Sequence, residues 1–200
     1  MTELDSERPG LRERKKRRTR AALREAAVEL SLPEGPDAVT VEAICARADV
    51  SPRTFFNYFA VKDEAIVGWD DEDGARLVAA VTARPADEDP LTALEAVLAD
   101  LVDDATTTPL WRDQLALLRR FPSLALRFAT ASHRLEQSVT AATAERAGRP
   151  ADDPDVAVVA AASAAALRVA IGRWVHGPAG TDGRALLAEA IAVLRRGLTL

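Results

Sequence analysis

Ser51-Pro52-Arg53-Thr54-Phe55-Phe56-Asn57-Tyr58, followed by Phe59 and Lys62, is the stretch that decides the fold. A helix start leaves its first backbone amides unpaired. Ser51 offers them a hydroxyl acceptor, and Pro52 suits the first helical position because its φ is preset. Arg53, Thr54 and Asn57 then give a short helix a polar face, while Phe55 and Phe59 give it an apolar anchor.

Upstream, Leu23, Ala26, Ala27 and Leu30 recur at helical spacing and mark a first helix over about residues 11 to 31, closed by Pro33-Glu34-Gly35-Pro36. Thr40 stands where a cap belongs, three residues before Ala43, and Val41, Ile44 and Ala48 supply the apolar side of a second short helix. Asp49 sits at the turn into the Ser51 helix, and Lys62-Asp63-Glu64 opens what reads as a long fourth helix, its acids facing the positive N-terminal dipole. Gly74, inside that expected helix, is a candidate hinge.

Further on, Asp89-Pro90 and Asp153-Pro154 each read as a cap followed by a first-turn proline, and Phe121-Pro122-Ser123, Gly148 and Gly177-Pro178 as joints. Five further helices fit between them. Leu91, Leu94, Val97, Leu98, Leu101 and Val102 make one apolar stripe; Leu124, Phe128, Ala131, Leu135, Val139 and Ala142 make another. No alternating segment is long enough to propose a sheet, so the fold class is all-α.

Charge divides the chain. From Arg8 to Arg24 nine basic residues face one acid, giving +8, whereas residues 63 to 200 hold fourteen basic and twenty-one acidic groups, giving −7. The overall charge of −5 therefore hides a basic N-terminal end suited to a polyanion. The single cysteine, Cys45, allows no intramolecular disulfide and no thiol cluster, and no apolar signal segment follows the charged N-terminus. The longest uncharged run, Val156 to Leu167, falls short of the ~20 apolar residues of a membrane span. These features read as a soluble, cytoplasmic protein with no membrane partner.

Taken together, Thr40-Val41-Glu42-Ala43-Ile44, the Ala48-Asp49-Val50-Ser51 turn, Arg53 to Phe59 and Lys62-Asp63-Glu64 resemble the N-terminal domain of TetR-type transcriptional repressors, over roughly residues 11 to 66. The resemblance implies a three-helix helix-turn-helix domain at 11–62 and a helical ligand-binding and dimerisation domain at 63–200. It implies a repressor that binds a double-stranded, palindromic DNA operator and is released by a small ligand. On the family pattern Thr40 caps the second helix and touches phosphate, and Ser51 belongs to the same contact set. Arg53, Thr54 and Asn57 face the major groove, while Tyr58 and Lys62 hold backbone phosphates. The chemistry agrees: asparagine pairs bidentately with adenine and arginine with guanine, while hydroxyls and an ammonium suit phosphate. Asn57 is the only asparagine in the chain.

Two residues depart from the pattern: Asp49 stands where the family usually has glycine, and Phe56 where it usually has tyrosine. Aspartate tolerates a left-handed turn better than most residues. Phe56 has no hydroxyl for phosphate, which leaves it packing or an apolar contact with a thymine methyl.

In the acidic remainder, Trp111, Leu115, Leu118, Phe121 and Phe128 are candidates to line a narrow apolar ligand cavity, with Arg119 at its mouth; ordinary core packing accounts for each equally well. The order of Leu11-Arg12-Glu13-Arg14, Arg53-Thr54-Phe55-Phe56 and Leu118-Arg119-Arg120-Phe121-Pro122 is similar to an actinobacterial-type subgroup, which implies an acyl-CoA-like effector. The alanine-rich stretch from Val156 to Ile171, with Leu186, Leu187, Ala190, Ile191 and Leu194, suggests a homodimer seam built from the last two helices, with burial inside one subunit as the alternative.

No cofactor or metal is expected. His133 and His176 lack a nucleophilic or metal-ligand constellation, which speaks against an enzyme. Asp70-Asp71-Glu72-Asp73-Gly74 has the acidity of a calcium loop, but its glycine is misplaced and no ligand glutamate follows at the required spacing. The competing function is a helical protein-interaction module without operator specificity, which the C-terminal helices alone permit.

Overall fold

The computed structural model describes residues 11–178 and 180–197. All secondary structure among them is helical. The chain divides into two compact units, one of residues 1–68 with 116–127, the other of residues 69–115 with 128–200.

The first unit is built on α1 (Leu11–Glu34), against which α2 (Val41–Arg47) and α4 (Lys62–Ile66) pack, with α3 (Pro52–Phe56) held on α2. Its core is Leu23, Ala27, Val28, Ile44, Phe55 and Ile66, all fully buried. Truncating a ring such as Phe55 to alanine in such a core costs ~3–5 kcal/mol. α1 runs three residues past its expected end, through Pro33. Three of its last four carbonyls are claimed: the Gly35 amide donates to Ser31 at 2.9 Å, and the Arg120 guanidinium donates to Leu32 at 3.0 Å and Pro33 at 3.3 Å. Gly35 has φ +95°, and a Cβ there would overlap the Phe121 ring. Arg120 and Phe121 therefore fasten the 116–127 segment to the end of α1.

The expected long fourth helix is two helices. α4 stops at Val67, whose φ of −121° and ψ of 77° leave the helical region. α5 (Asp71–Thr82) restarts behind a capping box: the Asp70 carboxylate accepts from the Asp73 amide at 2.8 Å, and the Asp73 carboxylate accepts from the Asp70 amide at 3.2 Å. The acidic cluster is thus a helix start, and its Glu72 and Asp73 both pair with Arg76. Gly74 is a packing glycine rather than a hinge. It is buried, and a Cβ there would lie 2.5 Å from the Ser138 hydroxyl.

The second unit contains α5, α6 (Pro90–Thr107), most of α8 (Ala125–Ala147), α9 (Pro154–His176) and α10 (Gly183–Arg195), while α7 (Pro109–Arg120) begins in it and ends in the first unit. Asp89 and Asp153 cap α6 and α9 as expected, each followed by proline. Leu94, Leu98 and Val102 of the first stripe are buried, and α6 packs on α5, α9 and α10. Arg184 of α10 bridges Asp100 and Asp103 of α6, and Arg146 donates to the carbonyls of Arg84, Pro85 and Glu88, holding the turn between α5 and α6. Phe128 leaves the second stripe, being 42% exposed, although Val139 and Ala142 of the same stripe are buried.

α9 corrects the membrane-length argument. Its 23 residues include a window of mean hydropathy 1.7, enough by length and composition to cross a membrane, because Arg168 alone interrupts the apolar run. In the fold it packs on α10 and α6, burying Ala160, Ala164, Leu167 and Ala170. Its other side is open in the single chain, with Val158 67% and Val169 54% exposed. The three tryptophans (Trp69, Trp111, Trp174) lie in the second unit and the only tyrosine, Tyr58, in the first.

Candidate nucleic-acid interface

The turn between α2 and α3 sets the angle of α3. The Val50 amide donates to Cys45 at 3.0 Å and the Asp49 amide to Ala46 at 3.4 Å, the paired bonds of a Schellman ending, and Asp49 takes the left-handed position at φ 54°. Cys45, buried beneath this turn, has its thiol pKa raised by burial and by the nearby Glu42 carboxylate.

Both caps form. The Thr40 hydroxyl accepts from the Ala43 amide at 3.1 Å, and its own O–H remains available for an external acceptor. The Ser51 hydroxyl accepts from the Thr54 amide at 3.2 Å and shares a hydrogen bond with the Thr54 hydroxyl at 2.9 Å. One O–H of that pair is used internally, so one is left to point outward.

Beneath α3, Phe55 and Phe59 are buried with ring centroids 5.5 Å apart, and the Arg20 guanidinium lies 4.8 Å from the Phe59 ring centre. This anchoring fixes which side faces out: Arg53, Phe56 and Asn57, related by i, i+3 and i+4, are all exposed. Among the described residues neither the Arg53 nor the Asn57 side chain has a hydrogen-bond partner, so both guanidinium and carboxamide are available to base edges. Tyr58 is half-buried at the end of the helix. Arg12, Arg14, Lys15, Lys16, Arg17 and Arg18 are exposed along the first half of α1, adding positive charge to this unit; Arg8, the start of the basic run, lies outside the described residues.

Lys62 is engaged within the first unit. Its ammonium donates to the Pro36 carbonyl at 2.7 Å and the Val39 carbonyl at 2.8 Å, tying the start of α4 to the segment that presents Thr40. An ammonium has three N–H donors, so one remains beyond these two bonds. These long-range partners, together with Arg120, were invisible to local spacing.

The residues expected at a ligand site are divided between the units. Trp111, Leu115 and Phe128 belong to the second, where Leu115 is buried, Trp111 half-buried and Phe128 exposed; Leu118, Arg119 and Phe121 belong to the first. Phe121 is committed to Gly35, and Arg119 is exposed. In the second unit, the Trp69 indole N–H donates to Ser138 at 3.3 Å, and Arg112 lies 5.2 Å from the Trp174 ring centre.

Two family models match the chain. Residues 23–65 match the family described as bacterial regulatory proteins, tetR family, and residues 88–199 match the MftR C-terminal domain. The HTH-type transcriptional regulator TcmR of Streptomyces glaucescens is 36% identical over 152 residues, covering 72% of this chain and 67% of the relative. Among solved structures, the fold is similar to NalD, the secondary repressor of the MexAB-OprM multidrug efflux pump in Pseudomonas aeruginosa, at 18% identity and TM-score 0.55 over 92% of this chain and 97% of that one. It is also similar to FadR from Bacillus subtilis in complex with stearoyl-CoA, at 17% identity and TM-score 0.58 over 89% and 98%. At these identities the two structures speak to fold alone. The family matches span the helix-turn-helix and the helical body: the chain belongs to the TetR family of transcriptional regulators.

Proposed function

We infer that this regulator is a homodimeric repressor that binds a palindromic operator through Arg53, Thr54 and Asn57 and leaves it when a small hydrophobic effector binds the helical body. The observation that carries the reading is the α3 face: Arg53 and Asn57, exposed and without side-chain partners among the described residues, on a helix capped at one end and pinned by two buried rings. Thr40, Ser51, Tyr58 and the third N–H of Lys62 are assigned to phosphates. Such contacts set register, and base contacts set sequence.

The paired state is supported by the open side of α9, where Val158 and Val169 stand exposed beside Ala161, Ala162, Ala165 and Gly172, with Ala185 and Ala188 exposed on α10. Small residues let two such surfaces approach closely, and a twofold pair presents two α3 helices to successive major-groove faces about 34–36 Å apart. An effector that favours a body conformation with a different spacing weakens binding by the difference of its affinities for the two states.

The effector class is proposed as acyl-CoA-like, its chain against Trp111, Leu115 and Phe128 of the second unit; the stearoyl-CoA in the FadR structure supports the class, not the residues. Regulation by binding, without catalysis, and a cytoplasmic location follow from this role.

Selecting bound duplexes from a random pool tests the core of the reading. Enrichment of a short inverted repeat is expected; no enrichment supports an interaction module instead. Titrating the operator complex with fatty acyl-CoA should release DNA and raise the melting temperature, and no change in either removes the effector class.

A further inference from the structure

Phe56 has no evident role in folding. It is 57% exposed and meets the buried Phe55 ring edge-on at 5.5 Å and 85°. It shares the outward face of α3 with Arg53 and Asn57, and it carries no polar atom for phosphate. The apolar area is one ring wide and flanked by exposed Ser51, Arg53 and Asn57, too small and too polar at its edges to be a protein-docking patch.

A duplex approaching this face offers mostly hydrogen-bonding groups. The major groove of unmodified DNA has one apolar feature, the thymine 5-methyl group. Charge favours the same occupant: Arg53 is exposed beside the ring, and the exposed basic residues of α1 belong to the same unit. We propose that Phe56 is a specificity-determining residue that packs its ring on a thymine 5-methyl group in each half-site, next to the bases read by Arg53 and Asn57. The proposal rests on the reading of α3 as the base-reading helix and adds a base identity to it.

The test uses the full-length protein and the duplex recovered by selection, with each thymine replaced in turn by deoxyuridine, which removes the methyl and keeps the hydrogen-bonding edge. At the contacted position wild type should lose about fourfold in affinity per half-site, the worth of one buried methyl group, and about sixteenfold when both half-sites are changed. Phe56→Ala should bind the thymine duplex more weakly and become indifferent to deoxyuridine at that position, and Phe56→Leu should retain part of the discrimination. The ring is exposed, so both variants should melt close to wild type, and that measurement confirms folded protein. If wild type ignores every deoxyuridine substitution, or Phe56→Ala keeps the full penalty, the methyl contact is refuted while the inverted repeat still supports the regulator. If selection yields no sequence at all, the base-reading assignment itself falls.

Discussion

Lys62→Met removes an ammonium while keeping an unbranched apolar stem of similar length, so it isolates what the charge does. Two carbonyls lose a donor. Pro36 keeps the Val39 amide at 3.2 Å, whereas the Val39 carbonyl is left to water. Hydrogen bonds to charged groups contribute ~1.5–3 kcal/mol each, and partial exposure with one retained partner brings the expected loss to about 2 kcal/mol in all. For a chain of this size that lowers the melting temperature by about 4–8 °C. The second readout is salt dependence on random duplex. Each phosphate contact contributes about 0.9 to the slope of log affinity against log salt, so losing the third N–H in both subunits should reduce it by about two. Thermal melting and gel shifts at several salt concentrations measure both. A variant melting within about 1 °C of wild type refutes the internal staple. An unchanged salt slope with lowered melting confines Lys62 to that staple.

Four other outcomes follow from the structure. Asn57→Ala should cost ~1–3 kcal/mol on the selected operator with little loss on random DNA, and equal losses on both would end its base-reading role. Asp49→Gly relieves the left-handed strain at φ 54° and should raise stability by up to about 1 kcal/mol in denaturant titration, operator affinity being kept. Gly74→Ala, which drives a methyl against Ser138, should destabilise by ~1–3 kcal/mol, whereas a true hinge would tolerate the methyl in melting experiments and change only effector response. The Asp89 carboxyl is held below its usual range, chiefly by the Thr92 hydroxyl at 2.6 Å and then by the Thr92 and Leu91 amides. Its folded pKa lies below its unfolded one, so its stabilisation is present above about pH 4 and lost as pH falls toward the folded value; melting of Asp89→Asn should depend less on acid in that window.

What was legible in the sequence is what local chemistry decides. Thr40, Ser51, Asp89 and Asp153 cap helices through bonds to residues two or three positions on, and their spacing announces it. The Asp70 capping box had the same kind of signature, two acids three residues apart ahead of an apolar helix, but it lies inside the stretch expected as one long fourth helix. Gly74, Lys62 and Phe121 were out of reach because their partners, Ser138, Val39 and Gly35, lie 64, 23 and 86 residues away in sequence. Periodicity placed Phe128 in the core because it counts positions and not neighbours. The α3 face was readable because its two sides are specified within one turn, by phenylalanines at 55 and 59 and polar groups at 53 and 57.

The separation of the aromatic residues gives the molecule two optical channels. Tryptophan emission arises only from the helical body, where Trp69 is hydrogen-bonded to Ser138 and Trp174 lies near Arg112. Tyrosine emission arises only from Tyr58, at the end of the reading helix. Red-edge excitation therefore reports on the helical body alone in unmodified protein, and a change in tryptophan emission places an event in that unit.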